Sequence, residues 1–174
     1  MVKNMHFHKE ELFDFISSNH KQQVVGSVEK MKCYLIYHIH IFKDGSEDYK
    51  AIGVFSSYDK ALAVREKYSS DLPGFKDFPK GFYIEEFEVT ELDIAKQRTV
   101  YVIFTYIYKK GEEEKLSVIK IVKNQDESKK FIKKYKSKYK IKKNQYFEYE
   151  KYNLDENCWQ EGFTTYECKY EGNT

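Results

Sequence analysis

The sequence is poor in cysteine, proline, glycine and tryptophan. Its 174 residues include three cysteines, two prolines, eight glycines and one tryptophan. Cys33, Cys158 and Cys168 cannot all pair within one chain and lack the spacing of a zinc knuckle, so we expect reduced thiols. No apolar run approaches the length of a membrane span and the first residues lack a signal-peptide core, so we expect a cytoplasmic protein with no membrane partner.

Charge is also nearly balanced. The chain has 30 basic and 28 acidic residues, a formal charge of +2. The net charge of the chain therefore does not indicate binding to nucleic acid or to a membrane surface. What is abundant is aromatic side chains, with 16 Tyr and 13 Phe. These are enough to supply both a core and an adhesive surface.

The chain resembles itself at an offset of 67 positions. Residues 33–70 align with residues 100–137 without a gap, and after a two-residue deletion residues 82–89 align with residues 147–154. Identical pairs include Tyr34/Tyr101, Ile36/Ile103, Ile52/Ile119, Asp59/Asp126, Lys67/Lys134, Tyr68/Tyr135, Phe82/Phe147 and Glu85/Glu150. The pattern predicts one unit used twice.

Each unit has the same order of elements. A β-rich run (32–42 or 99–108) precedes a polar turn, "KDGSED" or "KKGEEE", and a second run (49–55 or 116–122). Ser57 and Asn124 are then good N-caps for helices whose apolar residues recur at helical spacing. A last strand closes each unit. The prediction for each unit is therefore strand, strand, helix, strand.

Connection lengths restrict the topology. A short turn makes the first two strands antiparallel, and the helix returns the last strand beside the first, which gives the order 2-1-3. We predict an α+β fold of two tandem β-β-α-β repeats, with antiparallel sheets and helices on one face. Residues 1–30 are predicted to be an N-terminal amphipathic helix (8–19) and a linker, 31–96 the first repeat, and 97–174 the second repeat with a C-terminal tail. Whether the two sheets join edge to edge or stack stays open.

Two H-x-H pairs, His6/His8 and His38/His40, raise the question of a metal site. Imidazoles two residues apart on a strand point the same way and can share one ion. Spacing fixes no third ligand, and the second unit has Thr105 and Ile107 at the positions of His38 and His40. We therefore predict a core or pocket-lining role for His38 and His40, with no metal and no cofactor, and keep a ligand pocket there as the alternative.

Catalytic motifs are scarce. The sequence has no glycine-rich phosphate loop, no G-x-S-x-G and no cysteine and histidine in a recognisable nucleophile context. Glu85, Glu86 and Glu88 share one predicted strand, where carboxylates are more often edge charges than an acid and base pair. We predict no catalytic residues and favour a function that is not enzymatic.

Residues 129–143, "KKFIKKYKSKYKIKK", concentrate positive charge around aromatic rings. Such a mixture is typical of surfaces that bind phosphates or an acidic protein. The candidate residues are Lys133, Lys134, Lys138, Tyr135 and Tyr139. The corresponding helix of the first unit lacks this charge. The structural alternative is a solvated helix face whose charge is balanced by "EEE" at residues 112–114 and by "FEYE" at residues 147–150.

Two loops carry distinctive aromatic residues. Residues 72–82, "LPGFKDFPKGF", contain both prolines, and residues 158–163, "CWQEGF", contain the only tryptophan. Their candidate partner-binding residues are Phe75, Phe78, Trp159, Glu161 and Phe163. The alternative is a structural plug at the open end of a sheet.

Together these stretches resemble a known family. "YLIYH", "IGVFSSYDKA", "LPGFKDFPKGFYIEEFEV" and "NLDENCWQEGF" are similar to the motifs of a family of small uncharacterised bacterial domains. The resemblance implies no established activity. The first unit carries the His and P-G-F portions and the second carries the W-x-E-G-F ending. The matching positions are His38, Pro73, Gly74, Phe75, Trp159, Glu161 and Phe163.

The leading functional hypothesis is a protein that binds another protein. Fold-level analogy suggests a toxin-neutralising immunity protein or a phage-derived inhibitor. The alternatives are a nucleic-acid-binding protein that uses residues 129–143, and a small-ligand or metal pocket near His38 and His40. The sequence leaves homo-oligomerisation open.

Overall fold

The fold is described from a computed structural model, over residues 30–43, 45–109 and 112–164. The helix predicted at residues 8–19 lies outside these residues. In chain order the elements are β1 (Lys30–Ile41), β2 (Glu47–Phe55), α1 (Tyr58–Asp71), β3 (Phe82–Thr90), β4 (Thr99–Lys109), β5 (Glu112–Val122), α2 (Gln125–Lys138) and β6 (Gln145–Asn153). A short 3₁₀ turn, Pro79–Gly81, precedes β3.

The β-β-α-β arrangement occurs twice, as the sequence predicts. Each set of three strands forms an antiparallel sheet, in the order β2-β1-β3 and β5-β4-β6. The registers also correspond: Tyr34 is opposite Phe55 in one sheet, and Tyr101 is opposite Val122 in the other. A bulge follows Ile36 in β1 and Ile103 in β4. The first strand of each unit therefore lies in the centre of its sheet.

Both helices begin at the predicted caps. The Ser57 side chain accepts a hydrogen bond from the Lys60 amide, and the Asn124 side chain accepts one from the Glu127 amide at 2.9 Å. Acidic residues follow in the first turn of each helix, where the helix dipole favours negative charge. The caps thus fix where each chain segment leaves its second strand and enters its helix.

The two sheets stack face to face. One core lies between them, and its buried residues come from both units: Cys33, Leu35, Val54, Val89, Leu92, Val100, Val102, Phe104, Ile121, Tyr152 and Leu154. A second core lies between the first sheet and α1, and a third between the second sheet and α2. The layers therefore run helix, sheet, sheet, helix.

Strand β1 is covered on both faces. Cys33 and Leu35 contribute to the core between the sheets, whereas Ile36 packs beneath α1. Alternate residues of a strand point to opposite faces, so the near-continuous apolar sequence of β1 follows from its central position. Within the described part of the chain, no helix has the length and apolar character needed to cross a bilayer.

Candidate functional site

Four polar residues gather on the helix-facing side of the first sheet. His38 lies directly opposite Lys50 on the neighbouring strand, and His40 lies opposite Asp48. Residues two apart on a strand share a face, so the strand period places all four together. We call His38, His40, Asp48 and Lys50 the polar cluster. Three of the four are buried, with Asp48 half-buried.

His38 is enclosed entirely by protein. Its Nε2 lies 2.9 Å from the Phe78 carbonyl oxygen, which can only accept, so Nε2–H is the donor and Nδ1 is the unprotonated nitrogen. The ring meets Phe75 and Phe82 edge to face, with centroids 5.2 and 4.8 Å apart. Burial lowers the pKa of His38 below 6.5 and outweighs the bond to Phe78, and the charge of Lys50 lowers it further. His38 is therefore neutral at pH 7.

Nδ1 of His38 is buried and has no hydrogen-bond partner among the described residues. A buried acceptor left unpaired costs about 1–3 kcal/mol. This ring nitrogen is an acceptor of the polar cluster that a donor entering the site could satisfy.

Lys50 is a buried cation held between a carboxylate and aromatic rings. It forms an ion pair with Asp48, and its side chain is only 5% exposed. Its Nζ lies 4.1 Å from the centre of the Phe163 ring and 5.4 Å from that of Trp159. A cation is attracted to the face of an aromatic ring, most strongly when water is excluded. The contacts of Lys50 therefore hold Trp159 and Phe163 against β2.

The aromatic residues over Lys50 come from a segment that follows β6, residues 154–163, which we call the capping segment. It runs beside β2, one of the two edge strands of the first sheet. The Asp155 amide donates to the Val54 carbonyl at 2.9 Å, and the Cys158 amide donates to the Ile52 carbonyl at 2.7 Å. The Tyr68 hydroxyl of α1 donates to the Cys158 carbonyl at 2.8 Å. The second unit therefore ends on the first unit.

The capping segment meets the loop at residues 72–82 through two glycines. Gly74 and Gly162 both have φ +78°, a conformation that glycine adopts without strain. A Cβ at Gly74 would lie 2.4 Å from the Phe163 carbonyl oxygen, and one at Gly162 would lie 2.4 Å from that of Pro73. The Phe163 amide donates to the Pro73 carbonyl at 3.0 Å. The P-G-F and W-x-E-G-F motifs are thus brought into direct contact around His38.

The predicted aromatic residues differ in how they are placed. Phe75 is fully buried in the core beneath α1, and Phe163 packs against that core. Phe78 and Trp159 are 37% and 44% exposed at the edge of the polar cluster, and Glu161 is exposed. The Phe78 ring lies over His40, with centroids 3.9 Å apart. We call Phe78 and Trp159 the aromatic rim.

The lysine-rich residues lie elsewhere. Helix α2 covers the outer face of the second sheet, so it is on the opposite side of the molecule from α1. Lys133, Lys134 and Lys138 are exposed, whereas Tyr135 and Tyr139 are partly buried, with ring centroids 4.7 Å apart and planes tilted by 35°. The predicted partner-binding residues therefore form two separate surfaces, one on each unit.

The second sheet does not repeat the polar cluster. Thr105 faces Ser117 in the register that His38 shares with Lys50, and Ile107 faces Lys115 in the register that His40 shares with Asp48. The first unit carries His38, His40 and the loop at residues 72–82, and the capping segment of the second unit covers them.

Sequence reasoning missed Lys50 and Asp48. Both lie in a strand with other charged residues, and this pattern is typical of an exposed edge strand. The period of two, combined with the hairpin register, is the signal that could have placed Lys50 opposite His38. No three His, Cys, Asp or Glu side chains lie close enough to hold a metal ion within residues 30–43, 45–109 and 112–164.

Fold and site define the class: an α+β protein of two stacked β-β-α-β units, one bearing an aromatic-capped polar cluster. Residues 31–96, from β1 to the turn after β3, match the model of a domain of unknown function (DUF7336). That match covers less than half of the chain. No curated protein and no solved structure matches.

Proposed function

We propose that the protein binds another protein through the aromatic rim and has no catalytic role. The observation that carries the proposal is the exposure of Trp159 and Phe78 directly over two buried histidines and over the buried Lys50, which pairs with the half-buried Asp48. Tryptophan and other large rigid side chains dominate the energetics of protein interfaces when a partner covers them. The rim presents two such side chains, and the packed residues beneath it hold them in position.

The backbone at the rim supports this proposal. Trp159 has φ +61°, in the left-handed region that bulky residues rarely occupy. Such a conformation costs on the order of 1–3 kcal/mol and persists where the surroundings enforce it, often at binding sites. Here the hydrogen bonds of the capping segment hold Trp159 facing outward.

The proposal extends to the kind of partner. We infer that the chain arose by duplication of one unit, with the first unit keeping the polar cluster. A small protein of this construction suits the role of an immunity protein that neutralises a toxin, or of a phage-derived inhibitor that blocks a host enzyme. Both roles require a tight one-to-one complex rather than turnover. A partner that covers the rim would replace water on Trp159 and Phe78 with apolar contacts.

Affinity capture with a matched pair of variants tests the proposal. The double variant Trp159→Ala, Phe78→Ala removes the rim, whereas Tyr146→Ala removes an equally exposed aromatic ring from the second unit. We expect the wild type and the Tyr146 variant to retain one stoichiometric protein partner from the source cell. The rim variant should bind that purified partner at least about 100-fold more weakly, because each interface anchor contributes about 2 kcal/mol or more.

The single tryptophan gives a direct second measurement. Since Trp159 is the only tryptophan of the chain, a tryptophan-free form of the partner that covers the rim should shift the fluorescence of the complex to shorter wavelength. A partner that binds with Trp159 still exposed to water would contradict the proposal. Loss of binding in the Tyr146 variant alone would do so as well.

A small-ligand pocket is the second candidate, and the unpaired Nδ1 of His38 favours it. In that case a ligand would be found on the protein purified without an affinity tag, by native mass spectrometry. Substituting His38 would abolish its binding, whereas the rim variant would retain it.

A further inference from the structure

We propose that α2 and the loop after it form a second surface, which binds the phosphate backbone of nucleic acids without reading the bases. Nine lysines occupy residues 129–143, and all nine are exposed. No Asp or Glu occurs between Glu127 and Glu148. We call these nine lysines the lysine face.

The first unit shows how unusual this charge is. Helix α1, of the same length, carries three basic residues (Lys60, Arg65 and Lys67) against three acidic ones (Asp59, Glu66 and Asp71). Both helices bury their apolar side on a sheet, so packing does not demand lysine on the outer side of α2. The positive field is therefore local to the second unit.

The shape of the lysine face suits an extended polyanion. Helix α2 has 14 residues and so is about 21 Å long. Side chains three or four residues apart are about 6 Å apart, within the screening length of about 8 Å at physiological salt. The fields of neighbouring lysines therefore add along the helix. A chain of phosphates can contact several of them at once and release several counterions.

The composition of the face indicates contact with phosphates rather than with bases. Residues 125–143 contain no arginine, the side chain that most often reads guanine, and lysine acts on phosphate as a point charge. Two ammonium groups lie over aromatic rings, Lys136 at 5.0 Å from the Phe147 centroid and Lys138 at 5.7 Å from the Tyr139 centroid. These contacts hold charge at the surface next to partly exposed rings.

A membrane surface fits the helix less well. Interfacial helices insert an exposed apolar side between lipids. The large apolar residues of α2, Phe131 and Ile132, pack against the second sheet and are not available for insertion. We therefore favour nucleic acid over an anionic bilayer.

Fluorescence anisotropy with labelled single-stranded and duplex DNA of mixed sequence tests the inference. Binding by the full chain should weaken at least about tenfold between about 50 and about 200 mM salt. The triple variant Lys133→Glu, Lys134→Glu, Lys138→Glu should bind at least about tenfold more weakly at the lower salt, with a salt slope smaller by about three. The triple variant to arginine should keep the wild-type slope, because phosphate contact needs only the cation.

A control variant separates the lysine face from net charge. Arg65→Glu, Lys67→Glu, Lys76→Glu changes three exposed residues of the first unit and alters the charge equally. We expect its affinity and slope to match the wild type. Equal loss in both glutamate triples would overturn the inference. So would equally tight binding of labelled poly-glutamate or of vesicles rich in anionic lipid, which would indicate an acidic protein or a membrane instead. Rim variants should leave DNA binding unchanged.

Discussion

At the residue scale, His38 is fixed by its neighbours rather than by its own chemistry. The Phe78 carbonyl accepts from both His38 Nε2 and the Gly81 amide. A Cβ at Gly81 would lie 2.5 Å from Nε2, so only glycine leaves room for the ring there. The glycine that the sequence places before β3 is therefore part of the histidine site.

This environment predicts a specific acid sensitivity. The folded-state pKa of His38 is lowered, mainly by burial, so in the pH range just below 6.5 the unfolded chain binds a proton that the folded chain does not. The stability that a neutral His38 provides is therefore present above pH 6.5 and is lost as the pH falls below it. Lys50 and His40 oppose protonation of His38, whereas Asp48 favours it.

The variant His38→Leu isolates this effect. At pH 7.5 its stability should lie within about 1 kcal/mol of the wild type, because loss of the bond to Phe78 is offset by removal of the unpaired Nδ1. Since leucine does not titrate, the wild type should lose stability relative to the variant as the pH is lowered to about 5. Urea unfolding at several pH values measures both quantities. Parallel losses of stability in the two proteins would show that His38 does not carry the acid sensitivity.

At the element scale, the sequence predicts the features that depend on local residue patterns. It does not predict contacts between segments that are far apart in the chain. The order of elements, the caps at Ser57 and Asn124 and the central position of β1 follow from periodicity and connection length, and the structure confirms them. The return of the capping segment to β2 involves residues about 100 positions apart. Its motif was visible as "CWQEGF", but no local signal tells which unit it would cover.

Asp155 is the anchor at the start of the capping segment. Its carboxylate accepts from the Ser56 amide at 2.8 Å and from Lys60 Nζ at 2.7 Å. Burial raises the pKa of Asp155, but the bonds from Lys60 and Ser56 together lower it below 3.8. The contribution of the carboxylate to stability is therefore complete above pH 3.8 and is lost as the pH falls through the lowered pKa.

Replacing Asp155 by Asn should destabilise the protein by about 1–2 kcal/mol at pH 7, with allowance for the exposure of Lys60. Asparagine tolerates the φ of +66° at this position, so the change removes charge without adding backbone strain. Asp93→Asn, in an exposed pair with Lys96, is the control and should leave stability close to that of the wild type. Urea midpoints for the three proteins at pH 7 make the comparison. Equal effects of the two variants would exclude an anchoring role for Asp155.

At the scale of the whole molecule, the stacked sheets bind the two units into one core. Leu35 and Val54 of the first unit share that core with Val102 and Ile121 of the second. The apolar periodicity predicts central strands that are covered on both faces. It does not distinguish two sheets joined at an edge from two stacked sheets, because both arrangements give the same pattern of apolar residues along the strands. The stacked arrangement and the capping segment each make the first unit depend on the second.

This dependence predicts one cooperative unfolding transition, which the tryptophan can report. Ile103→Ala creates a cavity beneath α2, in the core that belongs only to the second unit, and should cost about 2–4 kcal/mol. Trp159 lies over the first unit, next to Lys50. If the units unfold together, the urea midpoint from Trp159 fluorescence should fall by the same amount as the midpoint from circular dichroism.

The exposed Tyr146 of the second unit supplies the control for that measurement. Tyr146→Ala removes a large side chain at the surface, so the free energy of unfolding from both probes should stay within about 0.5 kcal/mol of the wild type. A fluorescence midpoint that stays constant in Ile103→Ala while the circular dichroism separates into two steps would contradict the shared core. In that case the first unit and the capping segment bound to it would be stable while the rest of the second unit is unfolded. Equal shifts of the two urea midpoints would mean instead that the cavity beneath α2 also destabilises the site that holds Trp159.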